Sequence, residues 1–178
     1  MQNEPERALV DAAAAGDIER FGALCRRYYA AMMAIAYAVL SDHQLAEDAA
    51  QESFARALVN LRSLKNRNRF APWLAAICRN VAKDMVAAKA RETIVEDLSQ
   101  VTEKKRHDGD NQMIHRAIEQ LPAAEKELIV LRYYNNLSYE RIGAILGISH
   151  AAINGRLART KQKMAKYLKQ NGFSESQL

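Results

Sequence analysis

The sequence predicts an all-α protein of two small helical domains, an N-terminal helical bundle and a C-terminal helix-turn-helix domain, joined by a flexible linker. Three observations carry this expectation. Alanine, leucine and isoleucine are abundant while aromatics make up only 7% of the 178 residues, a balance that favours helix over sheet. Only three prolines and seven glycines interrupt the chain. Apolar residues recur at three- and four-residue spacing until a polar stretch over 92–111, ETIVEDLSQVTEKKRHDGDN, where the period fails.

The first helix is expected from Pro5 to Ala15, stopped by Gly16-Asp17. A second covers Ile18 to Leu40, with Phe21, Leu24, Tyr28, Met32, Ile35 and Val39 as its apolar stripe. Ser41-Asp42 ends it and caps a third, from about Leu45 to Leu61, whose inner side is Ala46, Ala50, Phe54, Ala57, Leu58 and Leu61. A basic loop, Arg62 to Arg69, follows. The fourth helix starts at Phe70-Ala71, with Pro72 in the first turn where a missing N–H is harmless, and runs to about Arg91. Phe70, Leu74, Ile77, Val81, Met85 and Ala88 form its core stripe. The domains are read as 1–91 and 112–171, with 92–111 as linker and 172–178 as tail.

The second domain should open with a helix from about Gln112 to Gln120, break at Leu121-Pro122, and resume from Ala124 to Tyr134. Asn135 to Ser138 reads as a turn ending in an N-cap. Ser138 caps a short helix, Tyr139 to Leu146, in which Ile142, Ile145 and Leu146 face inward. Gly147 permits the left-handed backbone of a tight turn, Ile148 fills the corner, and Ser149 caps a helix from His150 to Gln170. Ile153, Leu157, Met164 and Leu168 are its buried stripe.

The opposite face of that last helix has the composition of a major-groove reader. Ala151, Gly155, Ala158, Arg159 and Gln162 project outward, flanked by Asn154, Arg156, Lys161 and Lys163. Small residues beside arginine and asparagine allow close approach to base edges, and the longer cations reach phosphates. Net charge is +5, and it is unevenly placed: no acidic residue occurs from Ile142 to Phe173. A second basic cluster comprises Arg62, Lys65, Arg67 and Arg69.

Two further faces stand out in the first domain. Asp48, Gln51 and Glu52 lie together on the polar side of the third helix. On the fourth, Arg79, Asn80 and Lys83 share an outer face with Trp73 on its edge, adjoining the basic loop. Cations beside an aromatic suit single-stranded nucleic acid.

In the segments DHQLAEDAAQESFARAL, RFAPWLAAICRNVAKD and IEQLPAAEKELIVLRYYNNLSYERIGAILGIS, the chain resembles the extracytoplasmic-function group of bacterial RNA polymerase sigma factors. The likeness covers both domains in order. It implies a sigma factor that binds core polymerase and promoter DNA and stabilises the melted strand. Asp48, Gln51 and Glu52 match the motif that docks on the clamp of the largest subunit, and the flap region is a further implied contact. Lys65, Asn66, Arg67, Asn68, Arg69, Trp73, Arg79, Asn80 and Lys83 match the part that captures the non-template strand at the −10 element. Ser149, Ala151, Asn154, Gly155, Arg156, Ala158, Arg159, Lys161 and Lys163 match the reader of the −35 element. The group's members are commonly sequestered by an anti-sigma factor, so one is expected here, with a stress-responsive role. Ala151-Ala152 and Asn154-Gly155 depart from the Gly-Thr and Lys/Arg-Ser that relatives carry more often, which bears on the preferred DNA sequence.

Other classes fit less well. A two-domain helix-turn-helix regulator would need a ligand pocket or phosphorylation site in the first domain, where only an amphipathic bundle is evident. His43, His107, His115 and His150 are scattered, and no zinc, phosphate-loop or nucleophile motif is present, so neither enzyme chemistry nor a cofactor or metal is expected. Cys25 and Cys78 show no ligand spacing and read as small buried hydrophobes. No apolar run approaches the ~20 residues of a membrane span, and the N-terminus lacks a signal-sequence pattern, so a cytoplasmic protein is expected.

Overall fold

The computed structural model describes residues 4–95 and 109–172, with no strand among them. The expected linker therefore lies mainly outside the described residues. Helix α1 spans Glu6–Ala14, α2 Ile18–Leu40, α3 His43–Asn60 and α4 Phe70–Val95. Two 3₁₀ turns, Leu61–Ser63 and Arg67–Arg69, occupy the basic loop.

Local chemistry sets the boundaries. Gly16 takes φ +109°, and the Asp17 carboxylate then accepts hydrogen bonds from the backbone N–H of Glu19 (3.0 Å) and Arg20 (3.1 Å), starting α2. Ser41 closes α2 in the left-handed region at φ 53°, and Asp42 caps α3 through the N–H groups of Gln44 and Leu45. Helix α3 thus begins two residues earlier than its apolar pattern suggests. Helix α4 extends past Arg91 to Val95, since neither proline nor glycine follows to stop it before Gly109.

Helix α2 is the axis of the bundle, packing against α1, α3 and α4. Phe21, Leu24, Tyr28, Met32 and Ile35 are buried as the stripe predicts, and Val39 is half-buried. Across from them lie Ala46, Ala49, Ala50 and Ala57 of α3, small residues that let the helix axes approach closely. Leu58 differs from expectation: it is 37% exposed, because the alanines and Phe54 already complete that face. Ile77 and Met85 are only half-buried and Ala88 is exposed, so the core stripe of α4 narrows toward its C-terminus.

The C-terminal half contains α5 (Gly109–Glu119), α6 (Ala123–Ile129), α7 (Tyr139–Leu146) and α8 (His150–Gln170). The predicted helix over 124–134 changes character midway. Residues Val130–Tyr134 form a π turn, with the Asn135 N–H bonded to the Val130 carbonyl at 3.0 Å. That wider turn keeps Val130 and Leu131 buried while Tyr133 and Tyr134 face outward. Leu146, Ile148 and Met164 are half-buried, and Ile142, Ile145, Ile153 and Leu157 form the centre of this half.

The two halves pack on each other. Helix α6 and the π turn lie against α2, α7 lies against α4, and one continuous buried cluster runs through both. Lys126 and Glu127 of α6 are buried in that contact.

Candidate nucleic-acid and polymerase interfaces

Helix α8 is positioned by a tight corner. Ser138 caps α7 through the Arg141 N–H (3.2 Å), Gly147 turns the chain at φ +69°, and the Ser149 hydroxyl caps α8 through the Ala152 N–H (3.2 Å). The outward face predicted for α8 is present: Ala151, Asn154, Arg156, Ala158, Arg159, Lys161, Gln162 and Lys163 are exposed, and Gly155 is half-buried. A β-carbon on Gly155 would stand 3.7 Å from Nη1 of Arg159, an ordinary contact, which shows that Arg159 lies back along the helix over Gly155. Arg159 and Gln162 are then the long side chains of an otherwise small-residue face.

The flanking cations are not equivalent. Lys161 sits 5.2 Å over the Tyr133 ring, and contact with that phenol raises its pKa. Lys163 pairs with Glu125. Among the described residues Arg156 has neither an ion pair nor a ring contact, and it is exposed.

The basic loop and α4 form a second surface. Lys65, Asn66, Asn68, Arg69, Asn80 and Lys83 are exposed, and Asn66 shapes the loop by accepting the Asn68 N–H at 3.1 Å. Trp73 is half-buried, its ring 6.0 Å from Phe70. Two members of the set have other engagements. Arg67 is half-buried, donates to the Leu61 carbonyl at 2.5 Å and sits 3.7 Å from the Asp11 carboxylate, tying the loop to α1. Arg79 does not share the outer face of Asn80 and Lys83. It reaches the other half of the molecule, giving Nε (3.1 Å) and Nη2 (2.6 Å) to the two carboxylate oxygens of Glu127.

The acidic surface lies along α3 and α4. Asp48, Gln51 and Glu52 edge a groove of about 640 Å³ between α3 and α4, floored by Ala55, Val81, Met85 and Ala88. Sequence reasoning missed two charged residues of this groove. Arg56 bridges Glu52 (2.7 Å) and Asp84 (3.3 Å), so the rim is a charge network and not a bare carboxylate stripe. The four-residue spacing of Glu52 and Arg56 signalled the first contact; Asp84 comes from another helix and gave no such signal.

Among the described residues no cluster of histidine, cysteine and carboxylates has metal-binding geometry, and no helix is long and apolar enough to cross a membrane.

Comparison with known proteins agrees with this layout. The sigma-70 region 2 family model matches residues 24–92, and the sigma-70 region 4 model matches residues 111–164. The chain is similar to the RNA polymerase sigma-H factor of Pseudomonas aeruginosa, at 25% identity over 186 residues covering 94% of this chain and 96% of that one. It is similar also to the ECF RNA polymerase sigma factor SigW of Bacillus subtilis, at 28% identity over 171 residues covering 86% and 91%. The fold matches that of the sigma factor RpoE solved in complex with the anti-sigma factor NepR from Bartonella quintana, with a TM-score of 0.53 at 24% identity over 84% of this chain and 96% of that one. A region 2 bundle followed in one chain by a region 4 helix-turn-helix defines an RNA polymerase sigma factor, a protein that directs promoter-specific transcription. The chain belongs to the extracytoplasmic-function group of that family.

Proposed function

We propose that three separate surfaces divide the work of initiation. The groove edged by Asp48, Gln51 and Glu52 takes the clamp of the polymerase's largest subunit. Lys65, Asn66, Asn68, Arg69, Trp73, Arg79, Asn80 and Lys83 hold the melted strand of the −10 element, with Arg67 shaping their loop from behind. Helix α8 reads the −35 element through Arg159, Asn154 and the alanine face between them, with Ser149 and the Arg156, Lys161 and Lys163 cations on the backbone.

The observation that carries this reading is the exposed face of α8, where small residues surround Arg159 and Gln162 on a helix capped for docking. Extruding a base costs a few kcal/mol, which an aromatic beside hydrogen-bonding and cationic groups offsets. Joining two weak DNA readers raises their effective concentration for one another, so neither half alone should hold a promoter well. No step of this work needs covalent chemistry, and the chain is proposed to act without an enzymatic activity or cofactor of its own. An anti-sigma factor is the proposed inhibitory partner, on the likeness to a sigma factor solved with one. The proposed place of action is the cytoplasm.

The test is transcription from a promoter library by core polymerase with the pure chain added. Defined start sites with common upstream elements at fixed spacing are expected. Random starts, or no stable assembly with core enzyme, would remove the reading.

A further inference from the structure

Among the described residues Lys163 is the one cation of α8 held in an ion pair; Arg156, Arg159, Lys161, Lys166 and Lys169 are exposed and in none. Its ammonium lies 2.5 Å from Oε1 of Glu125, in the first turn of α6. We infer that Glu125 is a counter-charge to the reading helix: by holding Lys163 it withholds one phosphate contact, and so limits how tightly the chain binds DNA of any sequence. The inference rests on α8 being the DNA-reading helix.

The placement of Lys163 gives the pair its consequence. At about 100° per residue, Lys161 and Lys163 stand roughly 200° apart around α8. Ala151, Gly155, Ala158 and Gln162 fall between them, so the two lysines border the reading face on opposite sides. Each border is tied to the segment that precedes α7, and the ties differ in charge. Lys161 lies 5.2 Å over the Tyr133 ring, which attracts a cation without neutralising it. Lys163 meets a carboxylate, which cancels its charge where a phosphate would otherwise gain from it. Helix α8 has no acidic residue of its own, so its basic edge is trimmed from a neighbouring helix.

Glu125 is placed to keep hold of the ammonium. Its side chain is only 23% exposed, and Oε2 is buried with no hydrogen-bond partner among the described residues. If the lysine left, both carboxylate oxygens would stand unpaired in a half-buried site, which disfavours release. The first turn of α6 also favours a negative side chain, because backbone N–H groups there lack helical partners. On the other side of the pair, the Lys163 side chain is 55% exposed, so a phosphate arriving from solvent must compete with Glu125 for the ammonium. A lysine already neutralised by a carboxylate displaces no counterion when it meets DNA, and adds nothing to the salt dependence of binding. Lys161, which keeps its charge, does add to it.

The experiment titrates a fluorescent duplex of scrambled sequence with the full chain, as wild type, Glu125→Gln, Lys163→Ala, the double variant and Lys161→Ala, over a range of salt concentrations. Circular dichroism confirms that each variant is folded, and Glu125→Ala replaces Glu125→Gln if the latter is not. Glu125→Gln should bind several-fold more tightly at low salt. Its slope of log affinity on log salt should steepen by about 0.9, a roughly threefold greater loss between about 0.05 and 0.2 M. Lys163→Ala should leave the wild-type slope unchanged and should abolish the gain when added to Glu125→Gln. A gain that survives Lys163→Ala would overturn the inference, because Glu125 would then act on DNA directly and not through the lysine. A slope altered by Lys161→Ala yet not by Glu125→Gln would overturn the counter-charge alone. A slope that none of these variants alters would remove α8 as the DNA-bound helix, and the inference with it.

Discussion

The carbonyl oxygen of Ile148 lies only 2.9 Å from where a β-carbon on Gly143 would stand. The glycine is thus what allows the corner after α7 to fold back on its own helix. Ordinarily, glycine to alanine within a helix gains up to about 1 kcal/mol. Here the obstacle is backbone, which cannot swing aside, and overpacking costs typically ~1–3 kcal/mol. Gly143→Ala should therefore lower the urea midpoint and weaken binding of −35 DNA as α8 shifts. A stability gain would mean that the corner relaxes freely.

Arg159 and Lys161 are neighbours with different expected effects. Arg159→Ala should cost roughly 1–3 kcal/mol on the preferred −35 sequence and flatten discrimination among variants of it. Lys161 stands over Tyr133, and its proposed contact is with a phosphate. Its alanine variant should weaken binding about equally on all sequences and reduce the salt dependence. Equilibrium titrations on matched and scrambled duplexes at two salt concentrations separate these outcomes, and identical behaviour of the two variants would remove the base-reading role of Arg159.

The acidic groove is tested by Asp48→Ala/Glu52→Ala. Both carboxylates are exposed, so the double variant should keep its helicity and melting temperature while losing assembly with core polymerase. Arg56 provides a control. It draws Glu52 and Asp84 together in solvent, where such pairs stabilise little. Arg56→Ala should leave stability unchanged and, by freeing both carboxylates, hold or strengthen binding to a basic partner. Normal assembly by the double variant would remove the docking role.

Much of this architecture is readable from residue order because its signals are local. Asp17, Asp42, Ser138 and Ser149 cap the helices they precede, and the α2 and α8 stripes, apart from half-buried Val39 and Met164, become the observed core. The three candidate faces are local too: the acidic set lies on α3, the second set on one loop and the helix that follows it, and the third on α8 with its cap. What stays hidden depends on partners distant in sequence. Glu127 looks like an ordinary surface carboxylate of an amphipathic helix until α4 supplies Arg79, and Lys126 until Ser41 approaches across 85 residues. Arg67 reads as one more basic loop residue, because its acceptor at Leu61 is a backbone carbonyl that no side-chain pattern reveals. The groove over α3 and α4 needs Asp84, contributed by a helix beyond the loop.

Cys78 makes the fold's stability fall in alkali. Burial pushes its thiol up from 9.0 to about 11, and the sulphur donates to the Met32 carbonyl at 3.3 Å. The folded state therefore keeps this proton at a pH where the unfolded chain has released it. Its contribution is complete below pH 9 and is lost as pH rises toward about 11, a change on the order of 2–3 kcal/mol across the window. Tyr28, whose phenol is also raised by burial and by the Glu6 carboxylate, adds a loss of the same sign at higher pH. Cys78→Ala should be less stable at neutral pH, because it leaves a small cavity, yet show a flatter decline between pH 9 and 11. Urea unfolding across that range checks it. Parallel declines for wild type and variant would mean that the thiol ionises in the folded protein as readily as in the unfolded chain.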